Sequence, residues 1–434
     1  VGRFGRGNCV TDIEFGLSFL YSQTLSSVVV IFWYTLVFDL PRYALPFAAV
    51  ALSQKRQAAQ SDPITQPHRK PFKVSVVLIG HNEADSIRAC VRSLREQSFS
   101  DFEIVIVSDG STDRMSKVAC EIVGSGDATC VLSTDVRGGK SSGVNLACEI
   151  AKGDIIINVD CDCSFDRFAI EALMRAFDDP RVGAACGDIA PRNADATLMT
   201  QIQEIEYLQS ISVGKRFSGS MDQVTCCSGA FGAFRREALA QVGGLDVGGG
   251  EDLDVTIRMR QAGWRIAFVP DALCYTDVPE SAYAYIRQRL RWERDAFWLR
   301  FRKHRRLLNP FGTKFRPAEA FHQWDFALFS VASTVAFPIY LLWLATHFGP
   351  EAIPILISLQ LALLLLDAGM LALANQITRR AAFGRNLPFL PAYSLFMSYV
   401  MRFVRLTAYV DEWFASGSHR DNYVPAKVRL LRPW

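Results

Sequence analysis

An apolar run, Ile155-Ile-Ile-Asn-Val159, ends in Asp160-Cys161-Asp162. Read as a buried strand, it delivers two carboxylates at its C-terminal end, where open α/β sheets place their ligands. Side chains two apart on extended chain point the same way, so Asp160 and Asp162 can share one hard cation. Mg²⁺ or Mn²⁺ held by oxygen ligands usually comes with a phosphate. Two solvated turn residues would look the same in isolation, so the neighbouring segments have to decide. Cys161 and Cys163 interleave the acids and invite a zinc site, but no second Cys or His pair stands at usable spacing, and small buried residues are the simpler role.

The elements that must carry those acids alternate in type. Residues 74–79 read as a buried strand followed by the His81-Asn82-Glu83 turn and a helix with Ile87, Cys90, Val91 and Leu94 at helical spacing. Residues 103–108 form a second strand ending at Asp109, Val131 and Leu132 end a third, and 142–151 is a helix leading into the Asp160 strand. Such alternation predicts a mainly parallel, doubly wound sheet. A dinucleotide fingerprint fails because Gly80 stands alone after the first strand, and a phosphate loop fails because Thr134 occupies the position that needs a glycine before Gly139-Lys140-Ser141. What remains is a nucleotide site built of acids at strand ends: Glu83, Asp109, and Asp160 with Asp162. Lys140, at a loop-to-helix boundary, suits a diphosphate.

Two later helices carry further chemistry. Gly248-Gly-Gly-Glu251-Asp252 opens a helix whose first turn is acidic, as the N-terminal end of a helix dipole favours. Gln288, Arg291 and Trp292 stand at i, i+3 and i+4, hence on one helical face, and combine a hydrogen-bonding group, a cation and an aromatic plane. Arg287, Arg289, Arg294, Phe297, Trp298 and Phe301 suit an amphipathic helix leading to a membrane.

In order, His81-Asn82-Glu83, Ser108-Asp109-Gly110-Ser111, Gly139-Lys140 with Asn145, Asp160-Cys161-Asp162, Gly250-Glu251-Asp252 and Gln288-Arg289-Leu290-Arg291-Trp292 resemble the motif set of family 2 glycosyltransferases. The last is similar to the signature of their membrane-bound processive members, the cellulose, chitin and hyaluronan synthases. The resemblance covers about residues 73–302 and implies a GT-A-like α/β catalytic domain inserted between transmembrane and interfacial helices. It also implies roles. Asp109 contacts the uridine of a UDP-sugar, with Glu83 on the nucleoside side and Lys140 on the diphosphate. Asp160 and Asp162 hold Mg²⁺ or Mn²⁺, Asp160 also facing the substrate. Asp252 is the general base, positioned by Glu251, and Arg291 stabilises departing UDP. Gln288, Arg289 and Trp292 contact the growing polysaccharide acceptor. The Cys226 to Arg236 segment resembles the acceptor side of those enzymes, with Gly229 admitting a sugar close to the backbone. The implied reaction is inverting, β-linked and processive, with glucose, as UDP-glucose, favoured on resemblance alone.

Charge placement bears on topology. Nearly uncharged runs at 14–38, 326–348 and 352–374 approach the roughly 20 residues a bilayer needs. Lys55 and Arg56 follow the first, Lys314 and Arg316 precede the second, and Arg379, Arg380 and Arg385 follow the third. The 349–351 turn lacks Lys and Arg, which puts the central region in the cytoplasm and leaves Arg3 and Arg6 in mild conflict outside. Most of the eleven cysteines lie in that central region and should be thiols. Residues 387–410 contain Arg402 and Arg405. An interfacial or re-entrant placement, with both arginines at lipid phosphates, is favoured over a crossing because it keeps the basic tail inside. Asp367 should be satisfied inside the bundle or line a polar path. The expected organisation is a transmembrane helix and short interfacial segment over 1–53, a linker at 54–71, the cytoplasmic catalytic domain at 72–282, and interfacial helices with the Gln-x-x-Arg-Trp motif at 283–323. Two transmembrane helices at 324–376 and a final helix with basic tail at 377–434 complete it.

The net charge of +3 calls for no nucleic-acid partner. Placement in a bacterial inner membrane, export of the product through the bilayer, and a homo-oligomer or partner export subunit to complete a pore are expected from the resemblance; a fused cyclic-dinucleotide domain is not. Two rivals are transfer of one sugar to a lipid carrier and a catalytically silent nucleotide-binding scaffold. The intact Asp160, Asp162, Asp252 and Arg291 set disfavours the scaffold.

Overall fold

The computed structural model describes residues 18, 21–57, 72–312, 315–378 and 383–420. Arg3, Arg6, Lys314, Arg379, Arg380, the linker from 58 to 71 and the tail beyond 420 lie outside the described residues, as do the side chains of Lys55 and Arg56.

Eight strands form one sheet: β1 (Val74–Gly80), β2 (Phe102–Asp109), β3 (Cys130–Thr134), β4 (Ile155–Asp160), β5 (Ser164–Phe165), β6 (Val182–Pro191), β7 (Phe231–Arg235) and β8 (Arg265–Thr276). Their spatial order is β3-β2-β1-β4-β7-β6-β8-β5. The first four pair in parallel, as the strand-helix alternation predicts, and β6 with β8 is parallel too. β7 runs against both β4 and β6, and β5 against β8. The helical excursion Leu198–Ser220 accounts for β7: it leaves from the C-terminal end of β6 and returns the chain to the sheet at that same end.

The inner strands read as continuous apolar runs because both sheet faces are covered. Val74, Val76 and Leu78 of β1, with Ile104 and Ile106 of β2 and Ile155 and Ile157 of β4, enter the core on one face. Val77, Ile79, Val105, Val107 and Ile156 enter the core on the other. This period-two division fixes register and brings the ends of β1, β2 and β4 to a single edge, where the candidate acids gather. The ten described cysteines are free, and burial pushes the Cys161 thiol well up, as fits a packed turn residue.

Two described helices are long and apolar enough to cross a membrane, Pro317–Ile377, interrupted by a turn at Gly349–Glu351, and Phe383–Ala415. Leu25–Ile31 and Thr35–Val50 would make a third if counted together, but they are bent by 80°. The expected straight span over 14–38 is therefore broken, and the shorter segment after it continues the second limb. Aromatic packing lines the bend: Tyr340 donates to the carbonyl of Ile31 at 2.9 Å, Tyr34 donates to that of Ser333 at 3.0 Å, and the two rings stack with centroids 5.2 Å apart. The helix Pro317–Asp325 runs on without a break into Phe326–Ala332, so the expected boundary at 323/324 is not a structural one.

The arginines of the last helix do not turn to lipid. Arg402 donates to Asp39 at 2.5 Å and lies between the rings of Tyr34 and Phe337, while Arg405 donates to Glu293 at 3.0 Å. Both arginines thus have partners inside the bundle. Asp367 is satisfied inside the bundle, accepting from the Tyr43 hydroxyl at 2.7 Å.

Asp39 and Arg402 are both nearly enclosed, with side-chain exposures of 9% and 11%. Arg402→Met or Asp39→Asn alone should cost roughly 3–5 kcal/mol by stranding a buried charge, and the double variant should recover most of the loss. Thermal unfolding in detergent measures this; a double variant as unstable as the singles would contradict it.

Candidate functional site

Lys140 stands where the sheet's two halves meet. Its ammonium donates to Asp160 Oδ1 and to the Gly229 carbonyl at 3.0 Å, and lies 3.8 Å from Glu251 Oε1. The Gly229 N–H donates to Asp252 Oδ2 at 3.2 Å, and Asn158, a buried polar residue within β4, donates to the Gly229 carbonyl at 2.7 Å. Lys140, Asp160, Glu251 and Asp252, predicted from separate motifs, thus converge on one glycine. A Cβ on Gly229 would sit 3.0 Å from Lys140 Nζ, 3.3 Å from Glu251 Oε1 and 3.7 Å from Asp252 Oδ2. The glycine admits charged side chains to the backbone, where the sequence suggests that it admits a sugar.

Asp162 follows Asp160 on the turn after β4, and Thr276 donates to its Oδ2 at 3.2 Å. Arg192 donates to its carbonyl at 2.9 Å while pairing with Asp277, so the turn is tied to the end of β8. Burial first, and then the charge of Asp160, push the Asp162 carboxyl up. A cation between the two would relieve that repulsion. Among the described residues no set of three or more His, Cys, Asp or Glu side chains is arranged to hold a metal. Two carboxylates plus substrate phosphates are nonetheless a normal Mg²⁺ or Mn²⁺ environment, so the residues fit a metal that arrives with its nucleotide.

Glu251 and Asp252 begin the helix Glu251–Gln261, capped by Gly250 in the left-handed region at φ 67°. Burial pushes the Glu251 carboxyl up to about 7; Lys140 opposes this and Asp252 adds to it. Asp252 is held by main-chain donors on both oxygens, Gly229 on one and Leu253 at 2.7 Å on the other. Each oxygen keeps a lone pair for an incoming hydroxyl.

Asp109 is tied to the loop before Lys140. Its two oxygens accept from the backbone N–H groups of Gly138 at 2.6 Å and Gly139 at 2.7 Å, and it is almost fully buried. The carboxylate shapes the loop that leads into Lys140. Glu83 accepts from Ser86 at 2.7 Å; burial raises its carboxyl, with Asp162 and Asp160 adding to the shift, so it stands beside the metal-type acids.

Gln288, Arg291 and Trp292 lie on the helix Ala282–Trp298. Gln288 and Arg291 line a cavity of about 730 Å³ together with Arg137, Arg287, Arg294 and Arg420. Asp411, which pairs with Arg294 at 2.8 Å, is its acid. The cavity is therefore strongly cationic. Gln288 Oε1 is buried there with no hydrogen-bond partner among the described residues. Arg289, expected at the substrate, is buried instead: it donates to Glu206 at 2.6 Å and stacks 4.2 Å over the Trp292 ring and 4.7 Å over Tyr285. It fixes the Trp292 plane and covers one face of it. The helix docks on the helix Met401–Ala415, with Phe297 stacked on Tyr409 and Glu293 accepting from Tyr409 at 2.6 Å.

Other positioning residues carry no sequence signal of their own. A Cβ at Gly249 would meet Asp295 at 2.5 Å and one at Gly250 would meet Leu299 at 2.7 Å, so the glycine run lets the acidic helix end touch the Gln288 helix. Fully buried Asp254 accepts from Arg258 at 2.8 Å, Lys303 at 2.9 Å and His304 at 2.7 Å. Burial alone would raise its carboxyl, but these donors and Asp246 hold it well below the usual range. The Arg420 guanidinium, unassigned from sequence, is found at the cationic cavity, and its neighbour His419 packs on Trp298.

Residues 75–243 match the family model described as Glycosyl transferase family 2. The chain is 30% identical over 237 residues to an N-acetylglucosaminyltransferase of Azorhizobium caulinodans, covering 52% of this chain and 60% of that one. It is 31% identical over 238 residues to one of Rhizobium meliloti, covering 52% and 55%, and 31% identical over 265 residues to one of Neorhizobium galegae, covering 58% and 60%. The matches thus span a little over half of each relative's length. Among solved structures, a mannosyltransferase from Pyrobaculum calidifontis in complex with GDP-Man and Mn²⁺ superposes with a TM-score of 0.55 at 19% identity, over 88% of this chain and 99% of that one. The fold is GT-A-like.

Gly229→Ala should leave Tm near the wild-type value and lower kcat by at least about tenfold, by displacing Lys140 and Glu251; unchanged steady-state kinetics would contradict the convergence. Because its folded-state value is raised, Glu251 favours folding below its ordinary 4.5, and that contribution is lost as pH climbs towards 7. In metal-free protein, the Tm advantage of Glu251→Gln over wild type should therefore grow between about pH 5 and about pH 8. A pH-independent difference would contradict the assignment.

Proposed function

We propose that this chain, which carries a family 2 glycosyltransferase domain over residues 75–243, transfers N-acetylglucosamine from its UDP-sugar to a growing β-linked saccharide at a membrane surface and extends it processively. The observation that carries the reading is the meeting of Lys140, Asp160, Glu251 and Asp252 at Gly229. It joins a diphosphate-type cation and a metal-type acid to a base-type acid. The sugar differs from the glucose favoured on motif resemblance, because the curated relatives are N-acetylglucosaminyltransferases.

When bound, Mg²⁺ or Mn²⁺ would supply charge neutralisation on the departing diphosphate, with Asp160 and Asp162 as its protein ligands. Lys140, in contact with Asp160, adds a second positive charge beside that diphosphate, and Arg291 and its cationic cavity a third source. Asp252 takes the proton of the acceptor hydroxyl. The hydroxyl oxygen bonds to the donor's anomeric carbon as the bond to phosphate oxygen breaks, and the pair of electrons leaves with UDP. A single displacement inverts the α-linked donor to a β-linked product. Glu251 backs Lys140 and keeps the Asp252 end of the helix in register. Trp292, with one face held by Arg289, offers the other to an acceptor ring, and Gln288 offers an acceptor oxygen for a hydroxyl. Holding the product between additions is what processive extension requires.

With purified protein in detergent, Mn²⁺ and each radiolabelled UDP-sugar supplied separately, N-acetylglucosamine should enter long polymer and glucose should not. Mono-glycosylated lipid as the only product would favour transfer to a lipid carrier. Asp252→Asn should lower kcat by at least about a hundredfold with little change in donor affinity; full polymer synthesis by that variant would remove the proposed base.

A further inference from the structure

Lys215 stands on the helix Gly214–Ser220 and is only 9% exposed, yet among the described residues no carboxylate pairs with it. Burying an ammonium is costly, and packing alone would be better served by an apolar side chain. Its contacts point to another use. The ammonium donates to the Ser228 hydroxyl and, at 3.7 Å, to Cys186 Sγ. Burial works against its charge, but the sulfurs of Cys186, Cys226 and Cys227, and then Asp252, outweigh burial and raise the group. A hydrogen bond with Cys227, and then Lys215 itself, hold the Cys186 thiol below its usual range against its own burial. A thiolate is therefore the counter-charge, and Ser228 is left as the group that the ammonium steers.

Ser228 precedes Gly229, and the peptide between them is the one whose N–H meets Asp252 Oδ2 at 3.2 Å. Its other end, the Ser228 carbonyl, is turned to β7, where a Cβ on Gly232 would lie 2.9 Å from it. Cys227 is held as well. Its N–H donates at 2.8 Å to the Thr256 hydroxyl, which itself donates at 2.6 Å to the Asp252 carbonyl. The segment is thus tied to the Asp252 helix at Cys227 and Gly229, and to a different helix, through Lys215, at Ser228 between them. That second helix is itself anchored: Arg216, next to Lys215, donates to the Ile377 carbonyl at 2.8 Å.

We propose that Lys215 is a positioning residue for sugar transfer: acting through the Ser228 hydroxyl, it sets the plane of the Ser228–Gly229 peptide and so aims the Gly229 N–H at Asp252. It touches no reacting atom. The inference rests on the reading of Asp252 as the base. Without the ammonium the peptide can turn, Asp252 loses one of its two main-chain donors, and its carboxylate no longer faces the acceptor hydroxyl in one fixed orientation. Donor binding uses other groups and is unaffected.

The test uses the full chain in detergent with Mn²⁺ and the UDP-sugar that supports turnover, and reads kcat, donor KM and Tm. Lys215→Met should lower kcat at least about tenfold with donor KM unchanged, while Tm stays level or rises because a buried charge has gone. Ser228→Ala, which keeps the ammonium and removes its hydroxyl partner, should lower kcat alike. The double variant should be no slower than the slower single, since both cut one connection. Losses that multiply in the double variant, or a Tm that falls together with kcat in Lys215→Met, would overturn positioning through Ser228. Wild-type kcat in Lys215→Met beside an inactive Asp252→Asn would overturn it and leave the base in place. An active Asp252→Asn would instead remove the base, and this role with it.

Discussion

Four carboxylates brought to one edge of a sheet repel one another, and the ammonium of Lys140 is what lets them stay. Asp160 comes from the end of β4 and Glu251 from the start of a helix more than ninety positions later, and Lys140 touches both while holding the Gly229 carbonyl. Burial first, and then the neighbouring carboxylates, raise the carboxyls of Asp162 and Glu251. A site left under that tension is ready for a further cation and for the phosphates that accompany it.

The second half of the site is held to the first by close packing and by a buried charge cluster. Gly249 and Gly250 let the acidic helix end approach Asp295 and Leu299, and Asp254 then ties the same helix to Lys303 and His304 beyond them. The helix Glu251–Gln261 and the Gln288-Arg291-Trp292 helix are therefore packed against each other. The latter is tied in turn to the helix Met401–Ala415 through Glu293, Arg405 and Tyr409. Arg260 of the Glu251–Gln261 helix makes a second tie to the apolar bundle through its buried pair with Glu319.

How much of this was legible in the sequence follows from the range of each interaction. The strands β1, β2 and β4 were readable because burial on both faces leaves an unbroken apolar run with an acid at its end. The common face of Gln288, Arg291 and Trp292 was readable because helical spacing is local. The reversed β7 was not, since its pairing is set by the path of a long excursion. Nor were the roles of Arg289, Arg402 and Arg405, whose partners Glu206, Asp39 and Glu293 lie 83, 363 and 112 positions away. Asp109 was placed correctly at the end of its strand, but its commitment to Gly138 and Gly139 depends on how the next loop folds back. Sugar identity had no residue signal at all; the relatives redirected it.

The pairing of Asp39 with Arg402 also bears on how the chain is made. Asp39 leaves the ribosome long before Arg402, and a lone buried carboxylate is expensive. Until the final helix arrives, the second limb of the bent pair lacks Arg402, so its carboxylate must stay in water or stay protonated. Assembly of the bundle is then completed by its last helix: a chain truncated before Arg402 would leave the Asp39 carboxylate without its cation.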